Sequence, residues 1–247
     1  MVNWNPWHGC RKISAGCDNC YVYRIDGRHN RDASAVTRTK AFAAPVARNR
    51  SGAYKIPPGE EVWTCFTSDF LLPLADEWRQ DCWDMIRERQ DLSFTFITKR
   101  IDRFAAALPP DWGEGWPNVT VGCTVENQDR ADFRLPLFLG APIRSRFITL
   151  SPMLEDIDIS PWLDRGKIRM VSVSGESGSG AREFRFEWAL TARERCVRAG
   201  IPFWFMQTGA NFVYNGKICH IPRRHQHSQA RKAGIDYLRG EGLDETV

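Results

Sequence analysis

Short, almost unbroken apolar runs recur along this chain and limit what it can fold into. They are Val62–Thr67, Phe94–Thr98, Val119–Thr124, Arg146–Leu150, Ile168–Ser174 and Pro202–Met206. Strands that are buried on both faces, as in parallel sheets covered by helices, have continuous apolar runs of this kind. The ends of successive runs lie 24 to 32 residues apart, about the length of one strand–helix unit. The pattern predicts consecutive parallel strands joined by crossovers.

Helical patterns occupy the intervals between these runs. One apolar stripe consists of Leu74, Trp78, Cys82, Met85 and Ile86, and another of Trp188, Ala192, Cys196 and Ala199. Residues at such spacing share one face of an α-helix. Short helices are also predicted over 101–108 and at Ser160-Pro161, where serine would be the N-cap and proline the first helical residue. With a seventh strand near Val2–Asn5, we predict an α/β fold: a full or partial (β/α) TIM-type barrel of six to seven parallel strands.

The length of 247 residues is enough for a large core, and no run reaches the eighteen apolar residues of a membrane span. The first ten residues lack the apolar segment of a signal peptide. We therefore expect a cytoplasmic protein, without a membrane partner and monomeric. We predict a barrel domain over residues 1–210 and a basic C-terminal extension over residues 211–247.

Positive charge is concentrated in two stretches, although the formal net charge is only +4. Residues 30–59 contain six lysines and arginines against the single acid Asp32. Residues 215–235 contain five lysines and arginines, three histidines and no acid. Such stretches indicate a polyanionic partner, a nucleotide or DNA. The alternative is that both stretches are solvated loops.

Three cysteines stand close together near the N-terminus, in the spacing C-x6-C-x2-C: Cys10, Cys17 and Cys20. In a cytoplasmic chain, eight cysteines favour metal binding or catalysis over disulfides. A structural zinc ion takes four protein ligands. A four-iron cluster can be held by three thiolates, which leaves its fourth iron open to a small molecule. The other five stand singly among apolar residues and are expected to be buried thiols: Cys65, Cys82, Cys123, Cys196 and Cys219.

Polar residues follow every predicted strand. The segments are Thr67-Ser68-Asp69, Thr98-Lys99-Arg100, Thr124-Val125-Glu126-Asn127, Ser151-Pro152-Met153, Gly175-Glu176-Ser177-Gly178 and Gln207-Thr208-Gly209. The first strand leads through Trp4-Asn5-Pro6-Trp7 into the three cysteines. In (β/α) barrels the active site lies at the C-terminal ends of the strands. We therefore expect these segments and the cysteines to share one face.

Several of these segments together resemble the radical S-adenosylmethionine (SAM) superfamily. The usual motif there is C-x3-C-x2-C, whereas the longer spacing here is similar to that of a phage-associated branch of radical-SAM-like proteins. The resemblance implies a location in the host cytoplasm if a phage encodes the chain. The similar stretches are WNPWHGCRKISAGCDNCY, FTSDF, FITKR, VGCTVENQ and SGESG, which span about residues 3–210. The chain departs from the branch at Ser151-Pro152, where a glutamate–proline pair is usual.

The resemblance implies a mechanism and a set of cofactors. Cys10, Cys17 and Cys20 would ligate three irons of a [4Fe–4S] cluster, and the fourth iron would chelate the amino and carboxylate groups of SAM. An electron from an external donor, passed through the cluster, would cleave SAM to methionine and a 5′-deoxyadenosyl radical. The radical would then abstract hydrogen from a nucleotide or a nucleic-acid base, with phage DNA base modification as one example.

The resemblance also implies roles for the residues at the strand ends. Ser68 and Asp69 would receive the methionyl ammonium, Glu126 would accept hydrogen bonds from the ribose, and Tyr21 would lie against the adenine. Further contacts to the cofactor are implied for Thr124, Asn127 and Ser151. Contacts to the substrate or catalytic roles are implied for Lys99, Arg100 and Gln207, and Asn127 would also lie near the substrate. Lys99 or Arg100 would hold a phosphate.

Other interpretations of the same residues remain open. Asp69 could cap the helix predicted over 74–90, directly or through its turn, and Glu126 could belong to a capping arrangement of a helix over 127–135. Lys99-Arg100 could be a solvated helix start. At the level of function, the alternative is a non-catalytic nucleic-acid-binding protein in which the three cysteines and His8 or His29 hold a structural zinc ion.

Overall fold

The computed structural model describes residues 1–238 and contains α-helices, strands and several short 3₁₀ turns. The helices are α1 (Tyr21–Arg28), α2 (Asp76–Glu88), α3 (Gln128–Gly140), α4 (Phe186–Arg198) and α5 (Arg223–Lys232). The strands up to residue 124 are β1 (Val2–Trp4), β2 (Trp7–His8), β3 (Thr37–Arg38), β4 (Glu61–Thr64), β5 (Ser93–Thr98) and β6 (Val119–Thr124). The later strands are β7 (Ser145–Leu150), β8 (Ile168–Ser174), β9 (Glu183–Arg185), β10 (Phe203–Gln207), β11 (Asn211–Tyr214) and β12 (Lys217–His220).

The main sheet has seven strands in the order β1-β4-β5-β6-β7-β8-β10. The pairs β1–β4, β4–β5, β5–β6 and β8–β10 are parallel. The predicted α/β class and the series of six to seven strands are confirmed, including the seventh strand ahead of the cysteines. Closure of the sheet into a TIM-type barrel stays a prediction.

The chain divides into two compact units. Unit 1 comprises residues 1–123 and 137–146, and unit 2 comprises residues 124–136 and the chain from residue 147 onward. The predicted domain boundary after residue 210 stays a prediction, and residues 239–247 of the predicted extension lie outside the described residues.

Unit 1 has an aromatic core beneath its part of the main sheet. The indole of Trp83 on α2 contacts Phe70, Phe96, Trp112 and Trp116, with ring centroids 4.9 to 6.2 Å apart. The predicted stripe of α2 is confirmed at Cys82, Met85 and Ile86, which are buried. It is wrong at Leu74, which is exposed because it lies in a 3₁₀ turn ahead of the helix. Aromatic rings contribute large buried areas, so this cluster fixes α2 against β5.

The strand β4 is shorter than its predicted run. It ends at Thr64 instead of Thr67, because the buried Cys65 has a left-handed backbone conformation with φ of 63°. Non-glycine residues adopt this conformation at a cost of about 1–2 kcal/mol, and it interrupts the extended chain. The polar residues 67–69 therefore follow the strand in a separate turn.

Unit 2 contains a second sheet that was not predicted, in the order β12-β11-β9. The strands β11 and β12 form an antiparallel hairpin, and β9 pairs with β11 in parallel. The hairpin turn consists of Asn215 and Gly216, which both have positive φ, 50° and 70°. This Asn-Gly pair is a strong sequence signal for a two-residue hairpin turn.

Two short helices differ from their predictions. Residues 101–108 form two 3₁₀ turns, Ile101–Arg103 and Ala105–Ala107, instead of one helix. The element at Ser160–Trp162 is also a 3₁₀ turn, and its N-cap is Ile159, so Ser160 is not the cap. The amide of Ser160 donates to the carboxylate of Asp158, so the side chain of Asp158, and not that of Ser160, stabilises the turn.

Within residues 1–238, no helix is both long and apolar enough to cross a membrane.

Candidate functional site

The cysteine loop, residues 9–20, connects β2 to α1 in unit 1. Its start is fixed by two backbone hydrogen bonds: the amide of Gly9 donates to Thr67 O at 3.2 Å, and that of Cys10 to Ala33 O at 2.8 Å. Later in the loop, the amide of Cys20 donates to Cys17 O at 3.2 Å, which places both cysteines in one turn. All three cysteines are free thiols of intermediate exposure. The loop therefore presents its thiols beside the turn that follows β4.

Gly9 is required where the loop enters this position. Its φ is +93°, and a Cβ atom there would lie 2.3 Å from Ala35 O. Such contacts do not occur between real atoms, so any side chain would displace the backbone of the loop. The glycine thus permits the close approach that sets the start of the cysteine loop.

Two strand ends meet Cys10. Arg100, just beyond β5, has its Nη1 3.7 Å from Cys10 Sγ and 3.1 Å from Asp69 Oδ2. The Nη2 atom of the same guanidinium donates to Arg11 O. Arg100 and Asp69 are both buried. The expected convergence of strand ends and cysteine loop is thus seen within unit 1 for these three side chains.

The thiols interact electrostatically with one another and with Tyr23. Burial raises the pKa of the Cys10 thiol to about 11; Arg100 opposes this rise, whereas Asp69 and Cys17 add to it. Burial also raises the pKa of Tyr23, and the nearby Cys10 and Cys20 raise it further. Cys10 therefore interacts electrostatically with Cys17, and Tyr23 with Cys10 and Cys20, and Cys10 is protonated at neutral pH in the metal-free protein.

The residues on either side of the loop are also paired. His8 Nε2 lies 2.6 Å from Asp26 Oδ2, and Arg31 Nη2 lies 3.0 Å from Asp26 Oδ1. The tyrosine hydroxyl of Tyr23 donates to Cys10 O, and Lys12 Nζ lies 4.8 Å from the centre of the Tyr23 ring. Sequence reasoning missed Asp26 and Tyr23, although both stand on the helix directly after Cys20.

The described residues contain no ready-made site for a single metal ion. Among residues 1–238, no three histidine, cysteine, aspartate or glutamate side chains are grouped so that they could hold one. A zinc site would need such a group, because zinc–sulfur bonds of about 2.3 Å in a tetrahedron place the sulfur atoms of two thiolates roughly 3.8 Å apart. His8, a ligand in the zinc alternative, has its Nε2 engaged with Asp26.

The SAM contacts predicted in unit 1 have partners within the protein. The carboxylate of Asp69 accepts four hydrogen bonds, from Leu71 N, Thr98 Oγ1, Lys99 N and Arg100 Nη1, at 2.8 to 3.1 Å. A carboxylate has about four lone-pair sites, so this one is saturated. Ser68 Oγ donates to Gly9 O, and Tyr21 Oη donates to Phe66 O. Their contacts to SAM stay predictions.

Lys99 differs from its neighbours. Its amide binds Asp69, but its half-buried ammonium has no hydrogen-bond or ion-pair partner within residues 1–238. A cation without a counterion beside Arg100 is available to an anionic ligand.

The predicted residues of unit 2 that begin α3 are tied to the protein itself. Glu126 is 0% exposed and forms an ion pair with Arg134 at 2.7 Å, and Arg134 also donates to Thr124 O at 2.9 Å. Asn127 Oδ1 accepts the amide of Arg130 at 3.0 Å, so Asn127, and not Glu126, caps α3. Sequence reasoning missed Arg134, because nothing in its neighbours distinguishes it from a solvated helical arginine.

Other residues of unit 2 join neighbouring strand ends. Ser151 Oγ, after β7, lies 2.5 Å from Ser174 Oγ at the end of β8. Gln207 Nε2, at the end of β10, donates to Gly175 O at 3.3 Å. These contacts bring Ser151 and Gln207 to the ends of strands that flank β8. Their predicted roles with SAM and substrate stay predictions.

A family model described as "Protein of unknown function (DUF5131)" matches residues 2–246. No curated protein matches the chain, and no solved structure does. The expected assignment to the radical SAM superfamily and its phage-associated branch is therefore wrong. The matching family is another one, no radical SAM family model matches, and residues 1–238 hold no preformed group of metal-binding side chains.

Proposed function

The chain belongs to the DUF5131 family, and we propose that it is an enzyme that binds a [4Fe–4S] cluster through Cys10, Cys17 and Cys20. We further propose SAM as its second cofactor and a nucleotide or nucleic-acid base as its substrate.

The observation that carries the proposal is the guanidinium of Arg100 between Asp69 and Cys10, 3.1 Å from one and 3.7 Å from the other. A buried ion pair beside a single thiol is expensive to desolvate. It has a clear use if the thiol becomes a thiolate of an anionic iron–sulfur centre, because the cation then neutralises charge. Burial raises the pKa of Cys10, and Arg100 opposes that rise, which is the direction that metal binding needs.

The donor set fits a cluster better than a single ion. Cys10, Cys17 and Cys20 are free thiols, and within residues 1–238 they are not grouped so that one metal ion could bind all three. Thiolates of a cluster bind separate irons and need not share one coordination sphere. When bound, the cluster would supply the electron that cleaves SAM, after reduction by an external donor.

The chain's own residues would position and bind the ligands. The ammonium of Lys99, without a partner within residues 1–238, would bind an anionic group such as a substrate phosphate. Arg100 would hold Cys10 and the loop at Arg11 in place, since it bonds to both. Gln207 at the end of β10 is proposed as a substrate contact.

We also propose that the seven-stranded sheet is a partial barrel of the TIM type. Its strand order, in which successive strand–helix units lie side by side, supports this. A cytoplasmic monomer is the proposed state of the protein.

The test is anaerobic reconstitution with iron and sulfide, followed by metal analysis and visible absorption. The wild-type protein should bind roughly four irons per chain and absorb in the visible range. Cys17→Ala should lose both signals, and so should the triple alanine variant of the three cysteines. Cys196→Ala is the matched control, because Cys196 is buried on α4. Full iron content in the triple variant would refute the proposal.

Incubation with reductant and SAM tests the second cofactor. The reconstituted protein should release methionine, measured by chromatography, and Cys17→Ala should not. Retention of one zinc ion per chain, with no iron uptake, would instead favour the structural zinc alternative.

A further inference from the structure

The helix α5 in unit 2 has one buried face and one basic face. Gln226 and Ala230, one turn apart, are its buried residues. Arg224, Ser228 and Arg231 follow each other at helical spacing on the opposite side. Lys232 extends this side at the end of the helix, whereas Arg223, seven residues before Ala230, begins the helix on its other side and is exposed there. We call Arg223, Arg224, Arg231 and Lys232, all exposed, the basic helix face.

The charges of the basic helix face are not compensated. None of its four side chains forms an ion pair within the described residues, and residues 215–235 contain no acid. Some other arginines of the chain do have a carboxylate partner. Arg130, Arg185 and Arg198 lie 2.5, 3.4 and 3.5 Å from the carboxylates of neighbouring acids. The positive potential over α5 is therefore available to an external anion.

The helix is anchored at the end of β10. His227 Nδ1 lies 2.9 Å from Met206 O, and the amide of Thr208 donates to Gln226 O at 3.4 Å. Between these two contact points stands Gln207, the proposed substrate contact. The basic helix face is thus fixed beside the C-terminal end of a main-sheet strand.

We propose that the basic helix face binds the phosphodiester backbone of a single-stranded nucleic acid. That this nucleic acid is also the substrate of the enzyme rests on the proposed function, whereas its binding to the basic helix face does not. Arginine matches phosphate with paired hydrogen bonds. Arg224 and Arg231 stand seven residues apart, a rise of roughly 10 Å along the helix, so they reach different parts of the backbone. Backbone contacts of this type position a polymer without reading its sequence.

A single strand fits this location better than a duplex. A base within a duplex is stacked and paired, and an enzyme reaches it only after flipping it out. The neighbouring hairpin also offers an aromatic ring: Tyr214 is 49% exposed and stands opposite Lys217 in the β11–β12 register. An exposed ring next to a cation is a typical platform for an unpaired base.

Fluorescence anisotropy with a labelled oligonucleotide of about 20 nucleotides tests the proposal at several salt concentrations. The single strand should bind, and its affinity should fall linearly in a log–log plot against salt. Replacing the four residues of the basic helix face by glutamine should reduce the slope by roughly 2 to 3, given about 0.7 per neutralised phosphate of a single strand. The melting temperature should not change, because all four side chains are exposed.

A matched control separates the position of the charges from their number. Replacing Arg130, Arg165, Arg185 and Arg198 by glutamine removes the same four charges, from +4 to 0, at other exposed or solvent-facing positions. This control should keep the wild-type slope. An equal reduction by the control would overturn the proposal, since net charge alone would then explain binding.

Three further results would decide against the proposal. They are salt-insensitive binding of the wild-type protein, an unchanged slope in the basic-face variant, and stronger binding of a duplex of the same sequence. Photo-crosslinking of the wild-type complex gives an answer independent of any variant. Crosslinks should map to residues 211–232. Crosslinks confined to other segments would refute binding at the basic helix face.

The cysteine proposal and this one can fail separately. A variant with Cys10, Cys17 and Cys20 replaced by serine should bind the oligonucleotide with the wild-type slope. If the wild-type protein takes up iron but does not bind the oligonucleotide, the present proposal is wrong. If it binds the oligonucleotide but takes up no iron, the cluster proposal is wrong.

Discussion

His8 Nε2 lies 2.6 Å from Asp26 Oδ2, so the strand that enters the cysteine loop is tied to the helix that leaves it. Asp26 is only 1% exposed, and its other oxygen lies 3.0 Å from Arg31 Nη2. A buried carboxylate between two potential cations holds both ends of the loop without any metal. The two ends of the loop are thereby fixed by the protein's own side chains.

Asp26→Asn should weaken this arrangement. The amide keeps the size of the side chain but loses its charge and turns one acceptor into a donor. We expect a loss of about 1–3 kcal/mol in the free energy of unfolding, measured by urea denaturation, because a buried charge-assisted hydrogen bond is broken. Asp129→Asn is the control, since its ion pair with Arg130 is exposed, and it should change stability by less than about 1 kcal/mol. Equal effects of the two variants would contradict the role of Asp26.

Arg100→Met should slow alkylation of Cys10 in the metal-free protein. Arg100 lowers the pKa of Cys10, which burial raises to about 11, so removing the guanidinium raises that pKa further. A thiol reacts as the thiolate, and a higher pKa leaves less thiolate at any given pH. Iodoacetamide labelling followed by mass spectrometry should show the wild-type rate at Cys10 still rising above pH 9, and a slower rate in the variant throughout.

The control for this prediction is Arg100→Lys, which keeps a positive charge beside Asp69. It should label Cys10 at a rate closer to that of the wild-type protein. Faster labelling in Arg100→Met than in the wild type would mean that loss of packing, and not loss of charge, governs the thiol.

Gly9→Ala should destabilise the protein more than Gly52→Ala. Both glycines have similar positive φ, +93° and +86°, so the backbone strain of an alanine is similar at the two positions. Only at Gly9 would the new methyl group meet another atom, Ala35 O, at 2.3 Å. We expect about 1 kcal/mol from φ alone at Gly52 and a clearly larger loss at Gly9, measured by thermal and urea unfolding. Similar losses would show that the loop can move aside.

Glu126→Gln should cost about 3 kcal/mol in the free energy of unfolding, because it leaves the buried Arg134 without its counterion. Glu183→Gln removes the partner of Arg185 in an exposed pair and should cost less than about 1 kcal/mol. Unfolding in urea distinguishes the two. Unchanged stability of Glu126→Gln, together with weaker SAM binding, would favour the ribose contact that the sequence predicted.

Much of the fold could be predicted because parallel strands buried on both faces leave a strong pattern. The runs Val119–Thr124 and Ile168–Ser174 coincide with β6 and β8. Other strand ends differ by one residue, as at Ser93–Thr98 and Phe203–Gln207. The larger error, at the end of β4, arises from the left-handed Cys65, which no property of a cysteine foretells.

The candidate site was harder to predict, since it depends on which partner each polar side chain meets. The proximity of the strand ends to the cysteine loop followed from topology, and Arg100 beside Cys10 is its clearest instance. The pairing of Glu126 with Arg134 did not follow, because both residues have equally good solvated alternatives. The hairpin at Asn215-Gly216 was predictable, because an Asn-Gly pair is a strong signal for a two-residue hairpin turn.

The eight thiols differ in exposure, and this difference determines which of them oxidise first when the metal-free protein is kept in air. Burial raises the pKa of Cys65, Cys82 and Cys196, which makes these thiols inert toward oxidants. Cys17 and Cys20 share one turn and are partly exposed, whereas Cys10 is held as a thiol by its burial. Cys219 on β12, which the sequence predicted to be buried, is instead of intermediate exposure. Oxidation should therefore begin at Cys17, Cys20 and Cys219. A preparation exposed to oxygen would keep its fold and melting behaviour while it loses two of the three proposed ligands.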